Sequence, residues 1–467
     1  MMTEHDVQAL FERQRAASRA EPPPGRDERR AALAVLERLV LGHVRELAEA
    51  VSADFGGRAR METELLEVVP LVRAIRHARR HLGGWMKPER RRVDLAFRPG
   101  RAWVRHEPLG VVGIMAPWNY PVLLALGPLV DALAAGNRAL VKPSDLSPYT
   151  SALLAELVGG AFPADRVAIV PGDVAVARAF SALPFDHLLF TGSGAVGREV
   201  MRAAAANLTP VTLELGGKSP AIVAPDYAPE KAAASIAFGK FLNAGQTCIA
   251  PDYALVPAGT EEAFAQAVLE RAGRAYPTLA GNEQYSAVLG ERGRARLHAA
   301  LDEARAAGAR VLTRDAAGND PAKIAPTVVL GAPEDGLLLR EEIFGPILPV
   351  VPYRTLEEAM AFVAARERPL ALYLFSHSRA TQRAVLDRLP SGGVTLNGTL
   401  LHIAQESLPF GGIGPSGMGA YHGRDGFRRL SHARAVYRPG FINGFERLGP
   451  PWGGLARLAA RVLGGVR

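Results

Sequence analysis

The 467-residue chain has one cysteine, Cys248, and only six lysines. A single thiol excludes an intrachain disulfide and fits a reducing cytoplasm. Of the 55 basic residues, the six lysines Lys87, Lys142, Lys218, Lys231, Lys240 and Lys323 leave 49 arginines. These are scattered among alanines and glutamates, and the net charge of +8 is not gathered into one stripe. The densest run, PERRRVD from Pro88 to Asp94, lacks interleaved aromatics and any nucleic-acid module, so it reads as a solvated face, and no nucleic-acid partner is expected. No apolar run reaches membrane-spanning length. The opening MMTEHDVQALFERQ has neither an apolar core nor a small-residue cleavage site, so a signal peptide is not expected. Solenoid repeats and low-complexity tracts are also missing.

What is present reads as an α/β chain too long for one compact core. Apolar spacing of three and four predicts helices from about Asp27 to Leu82, after a short leading helix set off by EPPPG. VDLAFRPGRAWVRHEP, Val93 to Pro108, reads as a hairpin around a Pro-Gly turn. Strand–helix alternation with near-continuous apolar strands follows from Gly110 to Leu215, which implies a parallel sheet covered on both faces. Alternation resumes from Lys218 and suggests a second α/β unit extending to about Gly414.

Several short stretches carry possible chemistry. Gly192, Gly194 and Gly197 in TGSGAVG have the GxGxxG spacing between a strand and a helix, which suits a dinucleotide phosphate, although a plain turn needs no more. The usual spacing rule then asks for an acid near the cofactor ribose, and Glu214 in LELGGKSP lies 17 positions after Gly197. The two glycines after that acid instead permit a bend toward the cysteine segment. APWNYP follows a parallel strand, where such sheets bind ligands, and Asn119 offers an amide there or merely satisfies its own loop. Lys142 in VKPSD ends another strand and is either a solvated charge or a ribose donor. Cys248 in NAGQTCIAPDY is a small buried hydrophobe or a nucleophile.

APWNYP, VKPSD, FTGSGAVG, LELGGKSP, NAGQTC, EEIFGP and LPFGGIGPSGMGAYHG, in this order, resemble the aldehyde dehydrogenase superfamily. PWNYP, PDYALVP and MGAYHG are similar to its class 3 branch, and most closely to the bacterial coniferyl aldehyde group. The resemblance implies a doubly wound Rossmann-type cofactor domain (1–92 and 109–216), an α/β catalytic domain (217–414) and a small β oligomerisation flap (93–108 and 430–440). A tail would occupy 441–467, and a homodimer is implied. The tail places Leu455, Leu458, Ala459, Val462 and Leu463 on one helical face, which suits packing on its own dimer better than a membrane surface.

By the same resemblance Cys248 would be the nucleophile, Asn119 and the Cys248 N–H the oxyanion donors, and Glu214 the base that hydrolyses a thioester. Lys142 would bond the adenosine ribose, with the acidic Asp145 beside it favouring NAD over NADP. Gly192, Ser193 and Gly197 would meet the pyrophosphate, and Glu342 the nicotinamide ribose. Phe344, Pro117 and Trp118 would pack around the cofactor, with Tyr120 in the substrate pocket. Gly194 departs from the pattern, since relatives commonly carry threonine there. No metal is expected. The implied reaction oxidises an aldehyde, aromatic or cinnamyl by the aromatic residues at the site, to its carboxylic acid. Acyl transfer to CoA, reduction of acyl phosphates, aliphatic substrates and a non-catalytic scaffold are the competing readings.

Overall fold

The computed structural model describes residues 2–313, 318, 320–441 and 445–465. Met1, residues 314–317 and 319, and the tail positions 442–444 and 466–467 lie outside the described residues. Sixteen strands appear among those described. In chain order they are β1 Glu89–Arg91, β2 Arg101–Pro108, β3 Val111–Met115, β4 Arg138–Lys142, β5 Val167–Ile169, β6 His187–Thr191, β7 Val211–Glu214 and β8 Pro220–Val223. There follow β9 Tyr253–Pro257, β10 Arg310–Thr313, β11 Thr327–Leu330, β12 Ile347–Tyr353, β13 Ala371–Phe375, β14 Gly393–Leu396, β15 Gly417–Met418 and β16 Ser431–Arg438.

One sheet has the order β15-β7-β6-β3-β4-β5, parallel except for the edge strand β15. Its strands are buried on both faces, as their unbroken apolar runs require. Val112 and Ile114 of β3 join a core with the helices between Arg26 and Trp85 and with Pro121–Ala135, whereas Val111 and Met115 meet Val7 and Phe11 of the leading helix Glu4–Ala20. The chain runs outward from β3 through β4 to β5, then returns to place β6 on the other side of β3. That reversal makes β3 and β6 the switch point, beside which open α/β sheets bind ligands.

The second sheet has the order β10-β11-β12-β9-β8-β13-β14, with only β10 antiparallel. After it the chain crosses back, and β15 pairs with β7, opposing Gly417 to Glu214. The third sheet, β1-β2-β16, is antiparallel, with Ser431–Arg438 running the length of Arg101–Pro108.

Two local expectations need correction. The first arm of the hairpin is Glu89–Arg91, not the stretch from Val93; Leu95–Phe97 is a single 3₁₀ turn inside the connection. Phe97 and Arg98 donate their N–H groups to Asp94 and Leu95, and these local bonds leave no ladder for a second arm. The helical stretch from Asp27 also breaks at Gly56 and Gly57, both at positive φ (69° and 121°), where only glycine is comfortable. That break turns Arg58 inward, and a π-helical turn follows at Glu64–Val68.

In the tail, Gly454–Gly464 is a helix with no buried residue, and Leu455, Leu458, Val462 and Leu463 are all exposed. No helix among the described residues is long and apolar enough to cross a membrane.

Candidate active site

Cys248 lies between the helix Pro229–Phe241 and β9. Asn243, Ala244 and Gly245 take positive φ in succession (51°, 50° and 75°) and form the tight loop that leads to it. A side chain at Gly245 would collide with the carbonyl of Gly345, so the loop and the segment after Glu342 fix one another. Asn119 stands in the loop after β3 and Glu214 is the last residue of β7, so both belong to the first sheet.

The two sheets meet through buried hydrogen bonds. Asn119 Nδ2 donates to the Gln246 carbonyl at 3.1 Å, and Asn243 Nδ2 donates to the Asn119 carbonyl at 3.0 Å. A primary amide carries two N–H donors, so Asn119 keeps one for another acceptor. The Tyr120 hydroxyl bonds Thr247 Oγ1 at 2.6 Å and ties the same loop to the cysteine segment.

Cys248, Glu214, Tyr120 and Thr247 line one cavity of about 240 Å³, walled by residues such as Leu65, Leu124, Phe238 and Ile249. Both carboxylate oxygens of Glu214 are buried without a hydrogen-bond partner. Burial pushes this carboxyl well above the usual range, against a smaller opposing pull from Arg429. Burial, and then the nearby Glu342 and Glu214, push the Cys248 thiol up to about 12, while its own and Ile249's backbone N–H groups act the other way. A thiol and a dry carboxyl that share one cavity suit proton transfer rather than an ion pair.

The other expected residues fall around this centre. Lys142 is buried at the end of β4, where Nζ donates to the carbonyls of Pro143 (2.7 Å) and Gly172 (2.8 Å), leaving one of three donors unused. Asp145 is exposed on a cleft with Gly172 and Asp173, apart from the cysteine cavity. Ser193 caps the helix Gly194–Ala205, its Oγ accepting from Val196 N at 3.4 Å. A Cβ at Gly192 would lie 2.6 Å from Phe190, and one at Gly197 would lie 2.8 Å from Leu215, so a side chain at either position would force its neighbour to shift. Gly194 has open space by comparison, its nearest neighbour being Arg198 at 3.6 Å, and a side chain there would be accommodated.

Trp118, which follows Pro117 in sequence, and Phe344 meet edge to face at 5.5 Å, with Phe344 held at φ 49°. Glu342 Oε1 is buried without a partner, and its carboxylate presses on Gly216, where any Cβ would collide. Burial first, then repulsion from Asp252, lifts Glu342 to about 8. An orphaned buried oxygen, a spare lysine donor and a glycine turn at a capped helix start fit the hydroxyl and phosphate groups of a dinucleotide.

The sequence reading missed what holds these parts. Arg58, Glu62 and Glu67, from the region after the helix break, are buried around the Asn119 loop. Glu67 Oε2 accepts the N–H groups of Val122 and Leu123, and Glu62 accepts Asn243 N at 2.8 Å and the Ser286 hydroxyl. Lys218 donates to Asp252 and to the carbonyls of Leu338 and Glu341 (both 2.8 Å), while Asp252 accepts Ile343 N. The scarcity of lysine was a signal for Lys218. The carboxylates of Glu62 and Glu67 had none, because they sit among helix-period residues that read as surface.

The family model for the aldehyde dehydrogenase family matches residues 1–436. The chain is 49% identical over 449 residues to a probable coniferyl aldehyde dehydrogenase of Pseudomonas aeruginosa, covering 96% of this chain and 94% of that protein. A coniferyl aldehyde dehydrogenase of a Pseudomonas species is 44% identical, with 85% and 83% covered. The solved substrate-bound AldH of Staphylococcus aureus superposes with a TM-score of 0.92 at 33% identity, covering 99% of this chain and all of that one. The NAD+ complex of a Bacillus cereus aldehyde dehydrogenase gives 0.84 at 27% identity, covering 93% and 89%. The chain belongs to the aldehyde dehydrogenase family.

Proposed function

We propose that this chain oxidises aromatic, cinnamyl-type aldehydes to carboxylic acids with NAD, through an acyl thioester on Cys248. The observation that carries the reading is a single apolar cavity shared by the only thiol and by a buried, unpartnered carboxylate.

The Cys248 sulfur, having given up its proton to water, adds to the aldehyde carbon, and the carbonyl oxygen becomes an oxyanion. The unused N–H of Asn119 and the backbone N–H of Cys248 are the donors for that charge; removing one such donor typically costs about 10²–10³ in rate. Lys142, Asp145, Gly192, Ser193, Gly197 and Glu342, with Pro117, Trp118 and Phe344 packed around them, would hold NAD, which would supply the hydride acceptor. Collapse of the oxyanion expels hydride from the former aldehyde carbon and leaves the acyl group as a thioester on sulfur. Glu214 takes a proton from water, the water oxygen attacks the thioester, and the acid departs as the thiol is restored. Such a step favours water over CoA as the acyl acceptor.

The cinnamyl class is supported by the relatives named for coniferyl aldehyde, and by Tyr120 and the apolar cavity walls. The exposed apolar face of the Gly454–Gly464 helix and the β1-β2-β16 sheet support a homodimer. The test is NADH formation across benzaldehyde, cinnamaldehyde, coniferyl aldehyde, hexanal and decanal. Highest kcat/KM with the cinnamyl pair is expected; a preference for decanal would transfer the assignment to aliphatic substrates.

A further inference from the structure

The helix Pro121–Ala135 presents Leu123, Gly127 and Asp131 to the catalytic cavity at four-residue intervals, one above another on a single face. Eight residues of helix carry Asp131 roughly 12 Å along the axis from Leu123 and away from the Asn119 end. An aspartate deep on the face of an apolar pocket is costly unless it has work there.

Asp131 is 4% exposed. Its carboxylate accepts the N–H of His422 at 3.3 Å and lies against Gly426, where a Cβ would collide with it. His422 stands at φ 81°, with its ring stacked on Phe410 at 5.4 Å. Its Nδ1 is buried with no hydrogen-bond partner, and burial keeps the ring neutral, with a pKa lowered to about 4. Glu406 faces the same cavity, and its side chain makes no hydrogen bond or ion pair among the described residues; burial lifts its carboxyl to about 7 against a smaller pull from Arg73, and burial, then the Glu406 charge, push the Asp131 carboxyl up. A side chain at Gly423 would collide with the Glu406 carbonyl, so this loop is pressed onto the His422 turn. Glu406 also borders a second cleft lined by Arg73, Arg76, His77 and Arg80, which Cys248 and Glu214 do not reach. The catalytic cavity therefore has a reactive end and a separate polar end.

Resting on the aromatic reading above, we propose that Glu406, at the end of the cavity it shares with His422 and Asp131, accepts the ring hydroxyl of a 4-hydroxyaryl aldehyde and makes that hydroxyl the feature the enzyme selects. A phenol O–H is a good donor to a carboxylate or a neutral imidazole, and an apolar ring meanwhile covers the leucine walls. Sites built around a substrate hydroxyl discriminate sharply against analogues that lack it, because the site's own polar groups are then left unpaired. A hydrogen bond to a charged group corresponds to a preference of about 10- to 100-fold.

The experiment compares kcat/KM for 4-hydroxycinnamaldehyde and cinnamaldehyde in the wild type, Glu406→Leu and Glu406→Gln, with hexanal as a third substrate. The expected hydroxyl-to-unsubstituted ratio is at least about 10 in the wild type, near 1 in Glu406→Leu, and intermediate in Glu406→Gln, which keeps an acceptor but loses the charge. A wild-type ratio near 1 overturns the proposal, as does a ratio unchanged in both variants while the two substrates lose rate in parallel, which is the signature of a purely structural side chain. Turnover of hexanal with neither aromatic aldehyde accepted sinks the aromatic reading itself. Good turnover of both aromatics with an insensitive ratio sinks only the role of Glu406.

Discussion

Arg58 and Glu67 form an ion pair at 2.7 Å in which neither side chain is exposed, and the same Arg58 Nη1 also donates to the Asn119 carbonyl at 3.3 Å. The other Glu67 oxygen caps the helix that follows Asn119, and the Arg58 guanidinium stacks on Tyr120 at 5.0 Å. The pair therefore clamps the loop that carries the candidate oxyanion donor from three directions.

Breaking one partner of such a pair typically costs about 3–5 kcal/mol, because the remaining charge stays buried. Glu67→Gln should lower Tm and kcat together. Replacing both, as Arg58→Met with Glu67→Leu, should recover much of the stability but not the rate, since the Asn119 carbonyl and the helix start lose their partners. Melting curves and kcat on the same preparations check this; a double variant with full activity would remove the clamp from the account.

Cys248→Ala should abolish turnover and leave Tm within about 2 °C of wild type, because a half-buried thiol contributes little packing. Differential scanning fluorimetry beside an NADH assay measures both. A large loss of Tm with activity retained would make Cys248 a core residue and nothing more.

The pH profile follows from burial of Glu214. Only the ionised carboxylate can take a proton from water, and burial raises its pKa, so its ionised fraction grows as pH rises through a region above the ordinary carboxylate range. Where hydrolysis limits turnover, kcat should climb on that limb and level off once ionisation is complete. Arg429 pulls the same pKa down, so Arg429→Met should move the limb to higher pH. A limb at the pH of an ordinary carboxylate, or one that ignores Arg429, contradicts the assignment of Glu214 as base.

How much of this was legible beforehand differs from part to part. Strands with period-free apolar runs, such as those ending at Met115, Lys142 and Thr191, declare a parallel sheet because both of their faces are buried, and the glycine turn after β6 was readable for the same local reason. The hairpin was misplaced because Asp94–Arg98 satisfies its backbone locally, which alternation of residue types does not reveal. Arg58, Glu62, Glu67 and Asp131 were illegible for a further reason. A charged residue on a helix is ordinarily solvated, and only contacts more than 50 residues away in the chain, such as Glu67 with Leu123, show that these are not.

Asp145 should favour NAD over NADP, since an exposed carboxylate beside the buried Lys142 would repel a ribose 2′-phosphate. Asp145→Asn should raise kcat/KM with NADP relative to NAD by several-fold, roughly the factor of 5–10 that about 1 kcal/mol of exposed charge repulsion supplies. Equal ratios in wild type and variant would leave the cofactor choice to other residues.

The most direct measurement concerns the covalent intermediate. Glu214→Gln should bind NAD normally, release at most one NADH per active site with cinnamaldehyde, and then stall. Loss of the base is expected to slow hydrolysis by about 10²–10⁴. Mass spectrometry of the stalled protein should show a cinnamoyl adduct on the peptide containing Cys248 and on no other. Steady turnover at saturating cofactor with a raised KM for NAD and an unmodified Cys248 would instead make Glu214 a ribose ligand and contradict the mechanism.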